Sequence, residues 1–306
     1  MGTTWRASFV VTDTGHLTAI RERIERELAL VIDQMSTWEP GSCISRFNSA
    51  PAGSWHSLPS EFFTVLSAAF DLARRTGGAY DPTIGELAGL WGFGPEPATA
   101  GQPDAAALSS ALTSSGWQRL DIEPKTGRAR QAGGVRLDLS SIAKGFAVDQ
   151  IARVLPQLEV TDFLVEVGGE LRGEGMKPDG TPWWVQLEDP PHCALEHPHA
   201  ESVVALHGLA IATSGDYRRF RDIDGRRLAH TIDPRTGSPV THDLAAVSVI
   251  AESCMQADAI ATALMVFGPD AGAAYADENG ISARFAIRGP AGLRFAFSRA
   301  MSAMLS

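Results

Sequence analysis

The sequence predicts an α+β fold in which the strands pair mostly antiparallel. Segments with helical spacing and segments rich in β-forming residues are mixed along the 306 residues, without the regular strand–helix alternation of a doubly wound sheet. No repeat of fixed period is visible. The stretch GFGPEPATAGQPDAAA is rich in Pro, Gly and Ala and is predicted to be a surface loop. It does not mark a domain boundary, so residues 1–306 are predicted to form one domain.

The first part of the chain predicts one strand and three helices. WRASFVV is rich in β-formers and alternates in polarity, which indicates a strand. From Leu17 to Met35, apolar residues recur at helical spacing among Arg and Glu, which predicts an amphipathic helix. SEFFTVLSAAFDLARRTGG predicts a second helix, with Ser60 as its N-cap and a glycine pair that ends it. PDAAALSSALTSSG shows a weaker helical pattern.

The second part of the chain alternates between predicted hairpins and two further helices. GVRLDLS is predicted to be a strand, and IAKGFAVDQIARVL a helix that begins directly after it. DFLVEVGGELRGEG predicts two strands joined by a glycine turn. A long helix, SCMQADAIATALMVFG, ends at Gly268 and Pro269 and precedes a terminal hairpin. The remaining predicted strands are WWVQLED, SVVALHGLAIATSG, LAHTID and AAVSVIAE.

Composition limits the classes of function. The chain has 36 acidic and 26 basic residues and a net charge of −10, which argues against a nucleic-acid surface. A polyanionic ligand stays open, since a bound divalent cation can invert the local charge. The cysteines Cys43, Cys193 and Cys254 are far apart, and neither a disulfide framework nor a thiolate metal site is supported. The first twenty residues lack the basic and apolar regions of a leader peptide, so the chain as given is expected in the cytoplasm.

The stretch LDLSSIAKGFAVDQ places hydroxyls, a lysine and a glycine where a strand passes into a helix. The first turn of a helix offers free N–H groups and a positive dipole end, which suit a phosphate. Lys144 would add a cation, Gly145 would allow close approach, and Asp138 would accept from a hydroxyl or ring nitrogen. The alternative is an ordinary helix cap by Ser141 with a solvated Lys144. The residues alone leave both interpretations open.

Asp258 and Thr262 are the strongest metal candidates. They are four residues apart in QADAIATAL and therefore project from the same helix face. A carboxylate and a hydroxyl one turn apart can supply two of the hard oxygen ligands that Mg²⁺ prefers. The rest of that helix is apolar nearly all round, and a buried carboxylate is costly unless it is paired or bound to a metal.

Two other segments carry candidate side chains. LAHTIDPRTGSPV is predicted to pair His230 with Asp233 across a turn at the end of a strand. There the histidine can act as a general base or as a hydrogen-bond donor near a leaving phosphate. IATSGDYRRF offers the hydroxyls of Ser214 and Tyr217 either to a cofactor pocket or to an ordinary turn, and both interpretations stay open. The glycine-rich VGGELRGEG continues as extended chain instead of opening a helix, which disfavours a dinucleotide-binding fold of the Rossmann type.

Taken together, the motifs resemble the ApbE family of FAD:protein FMN transferases. The resemblance extends from about Gly2 to Gly268 and keeps the order of the family's motifs. These motifs are GTTW, MSTWEPGSCISRFN, YDPTIGELAGLWGFG, LDLSSIAKGFAVDQIA, VEVGGELRGEG, PWWVQLEDP, IATSGDYRRF, LAHTIDPRTGSPV and QADAIATALMVFG.

The resemblance implies a fold of two interlocked α/β halves with FAD bound between them. It implies a Mg²⁺-dependent enzyme that cleaves FAD, attaches FMN through a phosphoester bond to a threonine of an acceptor flavoprotein and releases AMP. Acceptors in the family include subunits of membrane redox pumps, and its members are usually periplasmic or membrane-anchored. Alternatives are a Mg²⁺-dependent FAD pyrophosphatase that forms FMN and AMP, and a non-catalytic FAD-binding protein.

The resemblance also implies roles for individual residues. Asp258, Thr262 and Ser141 match metal-binding positions, and His230 matches a histidine that assists transfer, with Asp258 as a second catalytic candidate. The implied FAD contacts are Met35, Tyr80, Asp138, Lys144 and Ile232. Some relatives carry a second acidic residue where this chain has Ala261, so a metal here is expected to rely more on substrate phosphates and water.

Overall fold

The chain forms two compact units in the computed structural model, which describes residues 2–97, 101–190 and 203–305. Unit 1 consists of Leu30–Ala143 and Arg218–Thr241, and unit 2 consists of Gly2–Ala29, Lys144–Tyr217 and His242–Ser306. The prediction that residues 1–306 form one domain stays a prediction. In the described part of the chain, no helix is both long enough and apolar enough to cross a bilayer. Cys254 is buried and Cys43 half-buried, both as free thiols, while Cys193 lies outside the described residues.

Helices and strands are mixed along the chain, as the sequence predicts. The helices are α1 (Leu17–Met35), α2 (Cys43–Asn48), α3 (Ser60–Arg75), α4 (Gly85–Leu90), α5 (Ala105–Ser114), α6 (Ala143–Val154), α7 (Cys254–Phe267), α8 (Pro269–Glu278) and α9 (Arg299–Leu305). The strands are β1 (Trp5–Phe9), β2 (Trp55–Ser57), β3 (Asp121–Glu123), β4 (Arg128–Arg130), β5 (Phe163–Val167), β6 (Glu170–Glu174), β7 (Trp183–Gln186), β8 (Val203–Leu206), β9 (Leu209–Gly215), β10 (Phe220–Ile223), β11 (Arg226–Ala229), β12 (Ile232–Asp233), β13 (Ser238–Pro239), β14 (Leu244–Ala251), β15 (Ser282–Gly289) and β16 (Gly292–Phe297).

Unit 2 is built around a seven-stranded sheet in the order β1-β5-β6-β9-β14-β15-β16. Each neighbouring pair of its strands is antiparallel, which confirms the predicted α+β class. The glycine turn predicted in VEVGGE joins β5 to β6, with Val167 paired to Glu170. β14 is buried along nearly its whole length, because α7 packs on this sheet.

The helix α7 explains the main core of unit 2. Its side chains Ala257, Ala261 and Leu264 belong to the same buried apolar cluster as Val247 and Phe285 of the sheet. Small alanines let the helix lie close to the strands, and the larger side chains fill the space beside them. This position makes α7 a rigid support for the polar residues that it carries.

Unit 1 has a smaller core and short strands. An apolar cluster gathers the side chains of α4, Ala111 of α5, and Ile232 of β12. The indole Nε1 of Trp91 donates to the backbone oxygen of Gly237 (2.7 Å) and ties the loop after β12 to this cluster. The short strands form a three-stranded sheet, β2-β4-β3, and the hairpins β10-β11 and β12-β13.

Two strand predictions are wrong in part. GVRLDLS forms one parallel bridge, between Ile84 and Arg136, and no strand. Its backbone is satisfied elsewhere, because the side-chain amide of Asn48 bonds both N and O of Leu137 (2.7 and 2.9 Å). The predicted strand LAHTID is interrupted at His230, where the hairpin β10-β11 ends before β12 begins.

Two details of the helix ends also differ from the predictions. Pro59 occupies the N-cap position of α3, so Ser60 is its first helical residue and not its cap. The side-chain oxygen of Gln34 accepts from the N–H of Phe62 (3.0 Å) and does part of the work of a cap. Pro269 does more than end α7, because it stands at the start of α8, where its missing N–H costs nothing.

Candidate functional site

The clearest polar site lies in unit 2, where the start of α6 meets α7. Asp258, on the second turn of α7, is 3% exposed. Its Oδ2 accepts from the backbone N–H of Gly145 (3.0 Å), one of the N–H groups that the first turn of α6 leaves without a helical partner. The anion predicted at this helix N-terminus is therefore, at Gly145, a carboxylate of the protein itself.

Gly145 is required by how closely α6 and α7 approach. A Cβ at this position would lie 2.3 Å from the backbone oxygen of Cys254 and 2.8 Å from the Cα of Met255. The sequence analysis assigned this glycine to the close approach of a phosphate. The structure assigns it to the close approach of α7, and the absent side chain is what lets the amide of Gly145 reach Asp258.

Lys144 is not solvated at the surface, contrary to the simpler of the two interpretations. Its Nζ lies 2.5 Å from Oε1 of Glu170 and 3.4 Å from Oδ1 of Asp258, and its side chain is 28% exposed. Burial disfavours the ammonium, but the carboxylates of Asp258 and Glu170 outweigh that effect and hold the pKa of Lys144 above its ordinary value. Lys144 is thus a fixed cation shared between two acids.

Glu170 was missed by the sequence analysis, although it is 3% exposed and begins β6. Its pKa is raised to about 7, because burial and the charge of Asp258 together outweigh the opposite effect of Lys144. A signal for this residue is present in the sequence. In a hairpin whose turn is the glycine pair of VEVGGE, Glu170 pairs with buried Val167, and paired residues share one face of the sheet.

A pair of hydroxyl bonds extends the site along α7. Thr262, one turn after Asp258, has its Oγ1 3.0 Å from Oγ of Ser214 on β9. The adjacent Thr213 bonds in the same way to Ser248 of β14 (2.8 Å). This contact places Ser214 beside Thr262, and its role in a cofactor pocket stays a prediction. Tyr217 is 9% exposed and belongs to an apolar cluster with Leu293.

Asp258 and Thr262 fit a hard divalent cation. Both offer oxygen from the same helix face, and among the residues that the structure describes, the contact given for Oδ1 of Asp258 is a long ionic one of 3.4 Å to Lys144. Within residues 2–97, 101–190 and 203–305, no group of three or more His, Cys, Asp or Glu side chains is arranged to hold a metal. A cation on Asp258 would therefore take further ligands from hydroxyls, water and substrate, as Mg²⁺ commonly does.

Ser141, Tyr80 and Asp138 lie in unit 1. The hydroxyl of Ser141 donates to that of Tyr80 (3.2 Å), so two residues that the resemblance implies are in direct contact. Asp138 is half-buried, and its Oδ1 accepts from the N–H and the hydroxyl of Ser140 (2.8 and 2.5 Å). Met35, which ends α1, and Ile232 of β12 are buried in the same unit, at 3% and 2% exposure.

His230 lies in unit 1, between β11 and β12, with its ring edge-on to Phe93 at 6.3 Å between centroids. Its Nδ1 lies 3.0 Å from the backbone oxygen of Arg219, which can only accept, so Nδ1 carries the proton. In the neutral ring the lone pair is therefore on Nε2, the nitrogen suited to a general base. Asp233 accepts from the guanidinium of Arg235 (2.9 and 2.8 Å), and its pairing with His230 stays a prediction.

The fold and the site define an α+β protein with a buried oxygen-rich centre next to a fixed ammonium. Comparison with known proteins identifies it further. The model of the ApbE family matches residues 1–285. The chain therefore belongs to the ApbE family, which confirms the resemblance predicted from its motifs.

Named relatives cover nearly the whole chain. A FAD:protein FMN transferase of Vibrio cholerae is 36% identical over 310 residues, which cover 100% of this chain and 91% of the relative. The apo crystal structure of the flavinyl transferase ApbE of Pseudomonas stutzeri has a TM-score of 0.89 at 38% identity and covers 99% of this chain and 94% of that one. The flavin transferase ApbE from Vibrio cholerae has a TM-score of 0.90 at 35% identity, with 99% and 96% covered. The predicted enzyme class, a transferase, is the class of these relatives.

Proposed function

We propose that this protein is a Mg²⁺-dependent FAD:protein FMN transferase. It would cleave the pyrophosphate of FAD, attach FMN through a phosphoester bond to a threonine of an acceptor flavoprotein, and release AMP. The names of the relatives support the transfer of FMN from FAD to a protein. The observation that carries the dependence on Mg²⁺ is the pair Asp258 and Thr262 on one face of α7, with Oδ2 of Asp258 fixed by Gly145.

The ligand roles follow from the chemistry of each side chain. Asp258 and Thr262 would hold the cation, with Ser141 as a third oxygen donor, and the bound cation would offset the negative charge that develops on the phosphoryl oxygens. Lys144 would offer a second positive charge to the phosphates. Met35, Tyr80, Asp138 and Ile232 would contact FAD.

The reaction would be an in-line displacement at the FMN phosphorus. The acceptor's threonine oxygen forms the new P–O bond, and the P–O bond to AMP breaks with its electron pair leaving on AMP. The threonine proton goes to Nε2 of His230, the nitrogen that bears the lone pair when Nδ1 donates to Arg219. Asp258 is the second candidate for that proton, although a carboxylate engaged by a cation is a weak base.

The decisive experiment is intact-mass spectrometry of a threonine-bearing acceptor flavoprotein, such as a membrane redox-pump subunit, incubated with this protein, FAD and Mg²⁺. We expect the acceptor to gain the mass of an FMN phosphoester and AMP to appear in equal amount. An acceptor whose target threonine is replaced by alanine should gain nothing. Release of AMP at the same rate with no acceptor, and no gain of mass when one is present, would establish a FAD pyrophosphatase instead.

The metal requirement is tested separately. Chelation with EDTA should stop both products, and Mg²⁺ should restore them. Asp258→Asn keeps the shape of the side chain and removes its charge, so it should abolish restoration at moderate Mg²⁺ concentrations. Asp270→Asn, an exposed acid in the first turn of α8, is the matched control and should behave as the wild type. Full restoration of the Asp258→Asn variant would show that the metal does not use this carboxylate.

A further inference from the structure

The hairpin turn between β5 and β6 shapes the environment of Lys144. Gly168 and Gly169 both have positive φ (66° and 103°), which lets the chain turn within two residues. A Cβ on Gly168 would lie 3.3 Å from Cδ of Lys144, so the turn packs against the aliphatic part of the lysine side chain. Glu170 follows immediately and meets the ammonium at the end of that side chain. The glycine-rich motif thus holds Lys144 along its length.

The two carboxylate oxygens of Glu170 differ in their contacts within the described residues. Its Oε1 bonds Nζ of Lys144, whereas its Oε2 is buried without a hydrogen-bond partner among the described residues. Burying an acid in this way lowers the stability of the folded protein, and an apolar residue at the same position would not have this cost. A role in the chemistry of the site accounts for that cost.

The charges of the cluster explain what the role is. Asp258, Glu170 and Lys144 carry two negative charges and one positive charge when all are ionised. Without Glu170, the ammonium of Lys144 would have Asp258 as its only acidic partner in the cluster, and it would compete directly with a divalent cation for Oδ1. With Glu170 at 2.5 Å and Asp258 at 3.4 Å, Lys144 is held mainly by the acid that does not bind the metal.

We propose that Glu170 is a positioning residue which, when ionised, is the main counter-ion of Lys144 and leaves Asp258 available to a divalent cation. A cation that reaches Oδ1 then replaces the long ionic contact of Lys144 without leaving the ammonium unpaired. Lys144 stays charged and fixed beside the metal, where it can face a phosphate. This inference rests on the proposed function, because it takes Asp258 as the metal ligand.

The test is the affinity of the full chain for Mn²⁺, measured without substrate from the free-ion signal in electron paramagnetic resonance. It is made at about pH 8, above the pKa of Glu170. Glu170→Gln should weaken binding about 10–100-fold, the usual cost of losing a group that orients a metal ligand. Glu174→Gln removes an acid from the same strand, one that pairs with Arg172, and is the matched control. It should bind as the wild type.

A double-mutant cycle separates this role from a direct one. Lys144→Met removes the competing ammonium and should strengthen Mn²⁺ binding, and Glu170→Gln should then have little further effect. An equal loss from Glu170→Gln in both backgrounds would overturn the inference, because Glu170 would then act on the metal through its own charge. Wild-type affinity in the Glu170→Gln variant would overturn it as well.

Two references make the outcome unambiguous. Circular dichroism reports whether Glu170→Gln folds, and if it does not, Lys144→Met alone decides, since weaker or unchanged Mn²⁺ binding in that variant contradicts the competition. Asp258→Ala reports whether the bound ion uses the proposed ligand. If Asp258→Ala binds Mn²⁺ as the wild type does, the metal assignment itself fails and the inference fails with it. If Asp258→Ala loses binding and Glu170→Gln does not, only the role of Glu170 is wrong.

Discussion

Replacement of Gly145 by alanine tests the packing on which the site depends. The added Cβ would lie 2.3 Å from the backbone oxygen and 2.6 Å from the backbone carbon of Cys254. Real Cβ atoms essentially never approach other atoms this closely, and backbone atoms cannot turn away as a flexible side chain would. The start of α6 and the start of α7 must therefore move apart in the variant. That movement also draws the N–H of Gly145 away from Oδ2 of Asp258.

The magnitude follows from three contributions. Overpacking in a well-filled interior costs about 1–3 kcal/mol. Loss of a hydrogen bond to a charged group costs about 1.5–3 kcal/mol. Alanine is favoured over glycine within a helix by about 1 kcal/mol, which offsets part of the loss. We therefore expect the free energy of unfolding of the metal-free protein to fall by about 1.5–5 kcal/mol.

Urea denaturation followed by circular dichroism measures this change, and Gly89→Ala is the control. Gly89 is also helical, in α4, but the nearest atom to its added Cβ is a side-chain oxygen of Glu96 at 3.6 Å. The control should be neutral or up to about 1 kcal/mol more stable. The affinity for Mn²⁺ should fall in Gly145→Ala and stay unchanged in Gly89→Ala. A Gly145→Ala variant with wild-type stability and metal affinity would refute the close contact between the two helices.

Three other predictions concern Asp258 compared with His230, the titration of Glu170, and the cap that Asp149 forms on α7. Asp258→Ala should reduce Mg²⁺-dependent release of AMP from FAD more than His230→Ala. Asp258 would hold the cation that offsets charge on the phosphoryl oxygens, whereas a general base typically contributes about 10²–10⁴-fold. The reverse order in steady-state assays would contradict the assigned roles. In EDTA, the free energy of unfolding should fall as pH rises from about 4.5 to about 7, since folded Glu170 keeps a proton that the unfolded chain has already lost. Glu170→Gln should remove that fall, and an unchanged urea-denaturation profile would show that Glu170 is not the group responsible. Asp149→Asn should lower the free energy of unfolding by about 1–3 kcal/mol in the same denaturation assay. The reason is that Asp149 accepts from the N–H groups of Cys254 and Met255 at the start of α7 (both 3.0 Å). A decrease below about 0.5 kcal/mol, the range of ordinary surface substitutions, would contradict this capping role.

The elements that carry their own periodicity were predictable. The helix from Leu17 to Met35 and the hairpin around VEVGGE have the predicted bounds to within a few residues. Strong patterns of this kind reflect burial on one face, which composition and spacing record directly. The strand predicted in GVRLDLS failed for the opposite reason, because the partner of Leu137 is a side chain, that of Asn48, eighty-nine residues away in the chain. No local pattern encodes such a contact.

The residues of the candidate site also differ in whether local sequence or tertiary contacts determine their positions. Asp258 and Thr262 were found because both lie on one helix and their spacing alone places them together. Lys144 was ambiguous, since a lysine in the first turn of a helix is usually solvated and its two acids come from distant segments. Glu170 and the amide of Gly145 were missed in their actual roles. Both roles depend on tertiary contacts, although the burial of Glu170 follows from its register with Val167.

The two oxygens of Asp258, the single carboxylate on α7, have different contacts. Oδ2 is fixed by the amide of Gly145, whereas Oδ1 has a long contact with Lys144 in the described part of the chain, so the side chain is oriented before any ligand arrives. Preorganisation of this kind reduces the conformational entropy that is lost when a ligand binds. Ala261, the position where the resemblance implies a second acid in some relatives, is fully buried and belongs to the apolar cluster between α7 and the sheet. In this chain the position therefore serves the packing of α7, and the proposed metal site would rely on an oriented Asp258, with Lys144 held mainly by Glu170.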